Sequence, residues 1–220
     1  MVTMYMVTML WITMGNRDYK KFGAGEYYHV YNRGNAKQKI FIDDQDFSFF
    51  LFKLRQNLFP SIEHKFRTPP LPKGSFSLIS YCLMPNHFHF LIKQNSDIPI
   101  TKLLLRVCTS YSIYFNKKYE RVGHLFQDQY KLVLVDNDSY LNWLSAYIHQ
   151  NPSVAGLVKH PVDYQWSSYC DFVGVRRDDL CEKDVVLDRF KNKSDFEQFV
   201  LSSFGIIKEK KELEDLLIDL

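Results

Sequence analysis

A chain of 220 residues is long enough for one domain with additions or for two small domains, and 46% hydrophobic residues give it material for a real core. A formal charge of +3 tolerates a nucleic-acid partner without requiring one, and an aromatic share of 16%, with 18 Phe and 14 Tyr, suits core filling or the stacking of unpaired bases. Cys82, Cys108, Cys170 and Cys181 make no C-x-x-C pair, which argues against a zinc or thiol-redox motif and for a reducing, cytoplasmic setting.

Residues 1–14, MVTMYMVTMLWITM, are apolar but shorter than the roughly 20 residues that a membrane-spanning helix needs. They lack the basic start and small-residue cleavage site of a secretory signal. Their recurrent methionines suggest a true start at Met14, with a short added strand as the alternative. Residues 1–25 are read as an extension.

Glu26–Asn35, EYYHVYNRGN, has the composition of a strand running into an Arg-Gly-Asn turn. Asp43–Leu58 places Phe47, Phe50, Leu51 and Leu54 at helical spacing, with Asp43 or Asp44 ready to cap. Phe59–Ser75 holds four prolines and reads as a loop. Phe76–Met84 is a second strand, turned at Pro85-Asn86 into a third, His87–Lys93. Ile100–Tyr119 is a helix with Leu103, Leu104, Val107, Tyr111 and Tyr114 on one side. Tyr130–Val135 is a fourth strand, and Asn137–Gln150 a helix that Pro152 helps to end. Residues 171–220 are read as a helical, charged C-terminal extension without a motif.

The order β-α-β-β-α-β-α predicts an α+β, ferredoxin-like βαββαβ antiparallel sheet followed by a further helix. Such a unit packs helices on one sheet face and presents the other.

Chemistry concentrates in MPNHFHFLI, Met84 to Ile92. Side chains alternate along a strand, so His87 and His89 share one face while Phe88 and Phe90 share the other. Two imidazoles aimed the same way from a rigid strand can hold one metal ion, although His-x-His also arises by chance. In the helix before Pro152, Tyr140, Trp143 and Tyr147 form a stripe that periodicity alone reads as core, and Asn151 could simply close the helix.

Taken together, HVYNRGN, MPNHFHFLI, GHLFQDQYK, YLNWLSAYIHQNPSVAGLV and WSSY, in that order over residues 26–169, resemble the single-tyrosine HUH transposases, nearest the REP-associated tyrosine transposases. The resemblance implies a ferredoxin-like domain over residues 26–170. It implies His87 and His89 as metal ligands, Tyr147 as nucleophile and Asn151 as a third, amide-type ligand. It also implies Mg²⁺ or Mn²⁺ as cofactor and single-stranded DNA with a hairpin as partner. The protein would act as monomer or homodimer, away from membranes. Gln129 and Val154 depart from the family pattern, which often places basic residues there, and this weakens expected phosphate contacts more than the chemistry.

The implied chemistry is a metal-assisted attack by a tyrosine hydroxyl, a poor nucleophile at neutral pH with a pKa of about 10. It would leave a 5′-phosphotyrosine and a free 3′-hydroxyl. Arg33, Asn35, His124, Gln127 and Lys131 are candidate DNA contacts, each with a solvated turn or strand edge as the plainer reading. His29 reads as a satisfied core or sheet histidine, His149 as a surface or structural residue, and Lys208–Lys211 as a solvated helix face. Two other functions fit parts of the pattern: a domesticated hairpin-binding protein that does not cut, and a phosphodiesterase in which water replaces tyrosine.

Overall fold

In the computed structural model, which describes residues 23–60 and 69–218, four strands form one antiparallel sheet. The apolar stretch 1–14, with its alternative starts, lies outside the described residues, as does the middle of the proline-rich loop. The strands are β1 (Tyr27–Arg33), β2 (Phe76–Met84), β3 (His87–Gln94) and β4 (Lys131–Val135), in the order β2-β3-β1-β4. This is the ferredoxin-like arrangement the element order predicts. Strand four begins one residue later than expected, leaving Tyr130 outside it.

Alternation along β1 and β3 decides what each face carries. Tyr28, Val30, Phe88, Phe90 and Ile92 point to one side, where α1 (Asp44–Leu58) and α2 (Ile100–Lys118) cover them with Phe47, Phe50, Leu54, Leu103, Leu104, Val107 and Tyr111. Asp43 caps α1 in a capping box with Asp46, as its position suggested. The Asp46 side chain is fully buried and also accepts from the Tyr119 hydroxyl at 2.8 Å and from Lys118 Nζ at 2.8 Å, tying α1 to the end of α2.

The opposite face is not open, contrary to expectation. Ile79, Cys82, Met84, Leu91 and Val135 pack against α3 (Asp138–Val154), and the same cluster takes in Phe172 of α4 (Tyr169–Val173) and Phe196 and Val200 of α6 (Lys193–Ser202). The C-terminal segment therefore shares a core with α3; it also contains α5 (Asp184–Leu187) and α7 (Phe204–Ile218). Burying such apolar side chains contributes about 1.5–3 kcal/mol each, which is why the face does not remain exposed.

One reading of α3 is corrected and another is narrowed. The helix runs through Pro152 to Val154 instead of stopping at Gln150. Proline removes one donor, and Asn151 and Pro152 are both buried, so packing outweighs the pre-proline preference. The end is closed by the backbone N–H groups of Ala155 to Asn151 O, 3.0 Å, and of Leu157 to Pro152 O, 2.9 Å. Of the two readings of His149, surface or structural, the structural one holds. The residue is fully buried, its Nε2 lies 2.9 Å from Ser168 Oγ, and its ring stands edge-on to Phe172 at 4.7 Å.

Candidate active site

His87 and His89 leave β3 on the α3 side of the sheet, with ring centroids 5.1 Å apart and planes nearly perpendicular. Both have their Nδ1 engaged. His87 Nδ1 lies 2.6 Å from Asn86 Oδ1, and His89 Nδ1 lies 3.0 Å from His29 Nε2 on β1. An amide oxygen only accepts, so this contact favours the His87 proton on Nδ1, with the lone pair on Nε2. Burial, helped by Lys211 and Arg33, pushes the His87 pKa down to about 3, with hydrogen bonding to Asn151 opposing. His89 is held well below the ordinary value, first by burial and then by His87 and His29. Both imidazoles are therefore neutral at neutral pH, the form that ligates metal.

Facing them, α3 presents Tyr147 and, one turn on, Asn151. The Tyr147 ring stands edge-on to His89 at 5.5 Å and to His29 at 6.2 Å, and stacks on Trp143 at 5.4 Å. The fully buried Asn151 donates from Nδ2 to Tyr147 O at 2.9 Å and accepts at Oδ1 from Lys211 Nζ at 2.9 Å, which fixes the orientation of the amide. Trp143 and Tyr147 thus belong to the core stripe and border the histidines at once. Tyr140, further along the stripe, has its hydroxyl pushed up to about 12 by burial and by Asp136.

Lys210 and Lys211 correct the reading of a solvated charge run. Ser203, just before α7, and Ile207 on it are buried, and Lys211 follows four residues after Ile207 on the same side. Lys210 Nζ sits over the Trp143 ring at 4.8 Å while Lys211 reaches Asn151. The four-residue spacing was a visible signal. His29, read as a satisfied core or sheet histidine, is buried in the sheet, but its Nδ1 has no hydrogen-bond partner among the described residues, while its Nε2 lies 3.0 Å from His89 Nδ1.

The candidate DNA contacts gather at one end of the sheet, all exposed. The Gln127 N–H bonds to Arg33 O and the Asn35 N–H to Leu125 O, both at 2.9 Å, which brings the His124–Gln127 segment against the turn after β1. Arg33 pairs across the sheet with His87. Lys131 Nζ lies over the Tyr31 ring at 5.9 Å, and Tyr31 lies 5.6 Å from His89. These residues rim the histidine pair. Among the described residues no cluster of three His, Cys, Asp or Glu side chains suits a metal ion. The donor set here is instead two neutral imidazoles and an amide oxygen that already receives a cation, a set that fits a divalent ion.

The sequence profile of the family described as transposase, IS200-like, matches residues 26–151. No curated protein matches the chain in sequence. Among solved structures, a REP-associated tyrosine transposase bound to a REP hairpin superposes with a TM-score of 0.52 at 15% identity, covering 70% of this chain and 81% of that one. A candidate transposase from Deinococcus radiodurans R1 superposes with a TM-score of 0.38 at 11% identity, covering 57% of this chain and 91% of that one. At such identity the first likeness establishes the fold alone. No helix among the described residues is long and apolar enough to cross a membrane.

Proposed function

Because this chain belongs to the IS200-like transposase family, we propose that it cuts and rejoins single-stranded DNA beside a hairpin, through a covalent link to Tyr147 and with Mg²⁺ or Mn²⁺ held by His87, His89 and Asn151. The observation that carries this reading is the placement of the Tyr147 ring 5.5 Å from that of His89, with Asn151 one turn further along the same helix. A nucleophile and a candidate donor set thus meet across the sheet–helix interface.

A divalent ion there would withdraw charge from the scissile phosphate and orient it. Tyr147 Oη attacks phosphorus and gives up its proton, the P–O3′ bond breaks, and the departing 3′-oxygen takes a proton. The product is a 5′-phosphotyrosine. A second 3′-hydroxyl reverses the step and joins strands, so no nucleotide cofactor is needed. Arg33 and Lys131 hold flanking phosphates, with Asn35, His124 and Gln127 along the same rim. The hairpin on the REP-associated transposase of similar fold supports a folded DNA partner here too.

One observation favours the non-cutting hairpin binder: the Lys211 ammonium already sits on Asn151 Oδ1. Incubation with labelled single-stranded hairpin DNA from the flanks of the gene, with Mn²⁺ or with EDTA, separates the readings on a denaturing gel. A DNA–protein adduct that needs the metal is expected. Bound but uncut DNA would establish the binder, and cut DNA without an adduct the phosphodiesterase.

A further inference from the structure

We infer that His29 is a positioning residue for His89, holding the ring at Nδ1 in the tautomer that leaves Nε2 free to hold an ion. This rests on the reading of His87 and His89 as metal ligands. On β1, Tyr31 pairs with His89, so His29 is its diagonal neighbour on the same sheet face. The two imidazoles lie nearly parallel, with centroids 5.2 Å apart and His29 Nε2 3.0 Å from His89 Nδ1.

Two neutral rings joined in this way share one proton along the bond. If His29 donates, the His89 proton must sit on Nε2, and no lone pair is left for an ion. If His29 accepts, His89 carries its proton on Nδ1 and offers Nε2 outward. Metal-bound histidines characteristically donate their second ring N–H to a partner in this way. The other His29 nitrogen, Nδ1, has no partner among the described residues, so no further hydrogen bond locks His29 as the donor. Its proton can sit on Nδ1, freeing Nε2 to accept.

Packing alone does not account for a histidine at this position. The ring stacks on Tyr31 at 4.8 Å and meets Tyr147 edge-on at 6.2 Å, contacts that phenylalanine would make without burying a nitrogen that lacks a partner. What histidine adds is the bond to His89. The residue therefore touches a candidate ligand and the candidate nucleophile together, one through a hydrogen bond and the other through its ring edge.

The test is Mn²⁺ affinity of the full chain, measured by electron paramagnetic resonance of the free ion, with thermal unfolding followed in parallel. His29→Phe should weaken Mn²⁺ binding by about 10–100-fold, the usual loss when such a support is removed, while remaining folded. His29→Gln, whose amide oxygen still reaches His89 Nδ1, should retain more affinity than the shorter His29→Asn. That pair carries the test if the Phe variant does not fold. Wild-type affinity in folded His29→Phe, or equal losses in the Gln and Asn variants, would overturn the role of His29 alone. Affinity unchanged by His89→Ala would instead overturn the metal reading, and the role of His29 with it.

Discussion

Lys211 Nζ lies 2.9 Å from Asn151 Oδ1, so a cation from α7 sits on the amide oxygen that the metal reading assigns to the ion. An ammonium and a divalent ion sharing one oxygen repel each other across a few ångströms, which costs on the order of 1 kcal/mol or more even with strong solvent screening. Lys211→Ala is therefore expected to tighten Mn²⁺ binding at least about fivefold. Isothermal titration of the full chain measures this. Weaker binding in the variant would mean that Lys211 supports the site instead of competing for it.

Tyr140 and Tyr147 lie on one stripe but in different surroundings. Burial and Asp136 raise the Tyr140 hydroxyl to about 12, whereas Tyr147 borders His89. Tyr147→Phe should lower strand cleavage by more than about 10³-fold, as loss of a nucleophile does, and leave hairpin binding intact. Tyr140→Phe should cut within a few-fold of wild type. Single-turnover rates on labelled single-stranded DNA decide between them.

The join between α1 and α2 depends on Asp46, which accepts from Lys118, Tyr119 and the backbone N–H of Ile42, the last at 2.8 Å. Asp46→Ala leaves the Ile42 N–H without its acceptor and Lys118 and Tyr119 with Asp43 alone, and should cost about 3 kcal/mol in urea unfolding. Asp43, exposed, is held below its ordinary pKa chiefly by its hydrogen bond from Lys118. A depressed carboxylate adds stability that is present at neutral pH and lost as pH falls through its folded value. Lys118→Met should flatten that part of the acid limb.

Gly34 follows β1 at the rim proposed to face DNA. A Cβ there would lie 2.2 Å from Gln38 O and 2.8 Å from Ile40 Cγ2, so backbone must move. Gly34→Ala should destabilise the fold by about 1–3 kcal/mol. It should also weaken hairpin binding, because the turn carries Arg33 and Asn35. Unfolding and DNA titration at one fixed salt concentration check both effects, since phosphate contacts weaken as salt rises.

How much of the fold and site was legible in the sequence follows from the range of each interaction. The strand period of two by itself places His87 and His89 on one face, and the helical period places Asn151 one turn after Tyr147. The contacts of His29 with His89 and of Lys211 with Asn151 each join residues 60 apart in sequence. No local pattern encodes them. Pro152 misled for a related reason: its local preference is real, but burial of Asn151 and Pro152 against the core outweighs it. The covered second face of the sheet was only partly legible: the helix α3 was expected, but α4 and α6, which share its core, are shorter helices in a tail that carries no motif.

Mass mapping of the DNA–protein linkage tests the central claim most directly. Single-stranded hairpin DNA is incubated with the full chain and Mn²⁺, the mixture is denatured and digested, and the nucleotide-bearing peptide is sequenced by tandem mass spectrometry. A phosphodiester on Tyr147, formed with the single strand and scarcely at all with a fully paired duplex, is the predicted result. Cleaved DNA with no attached peptide, or a linkage on Tyr140, would contradict it.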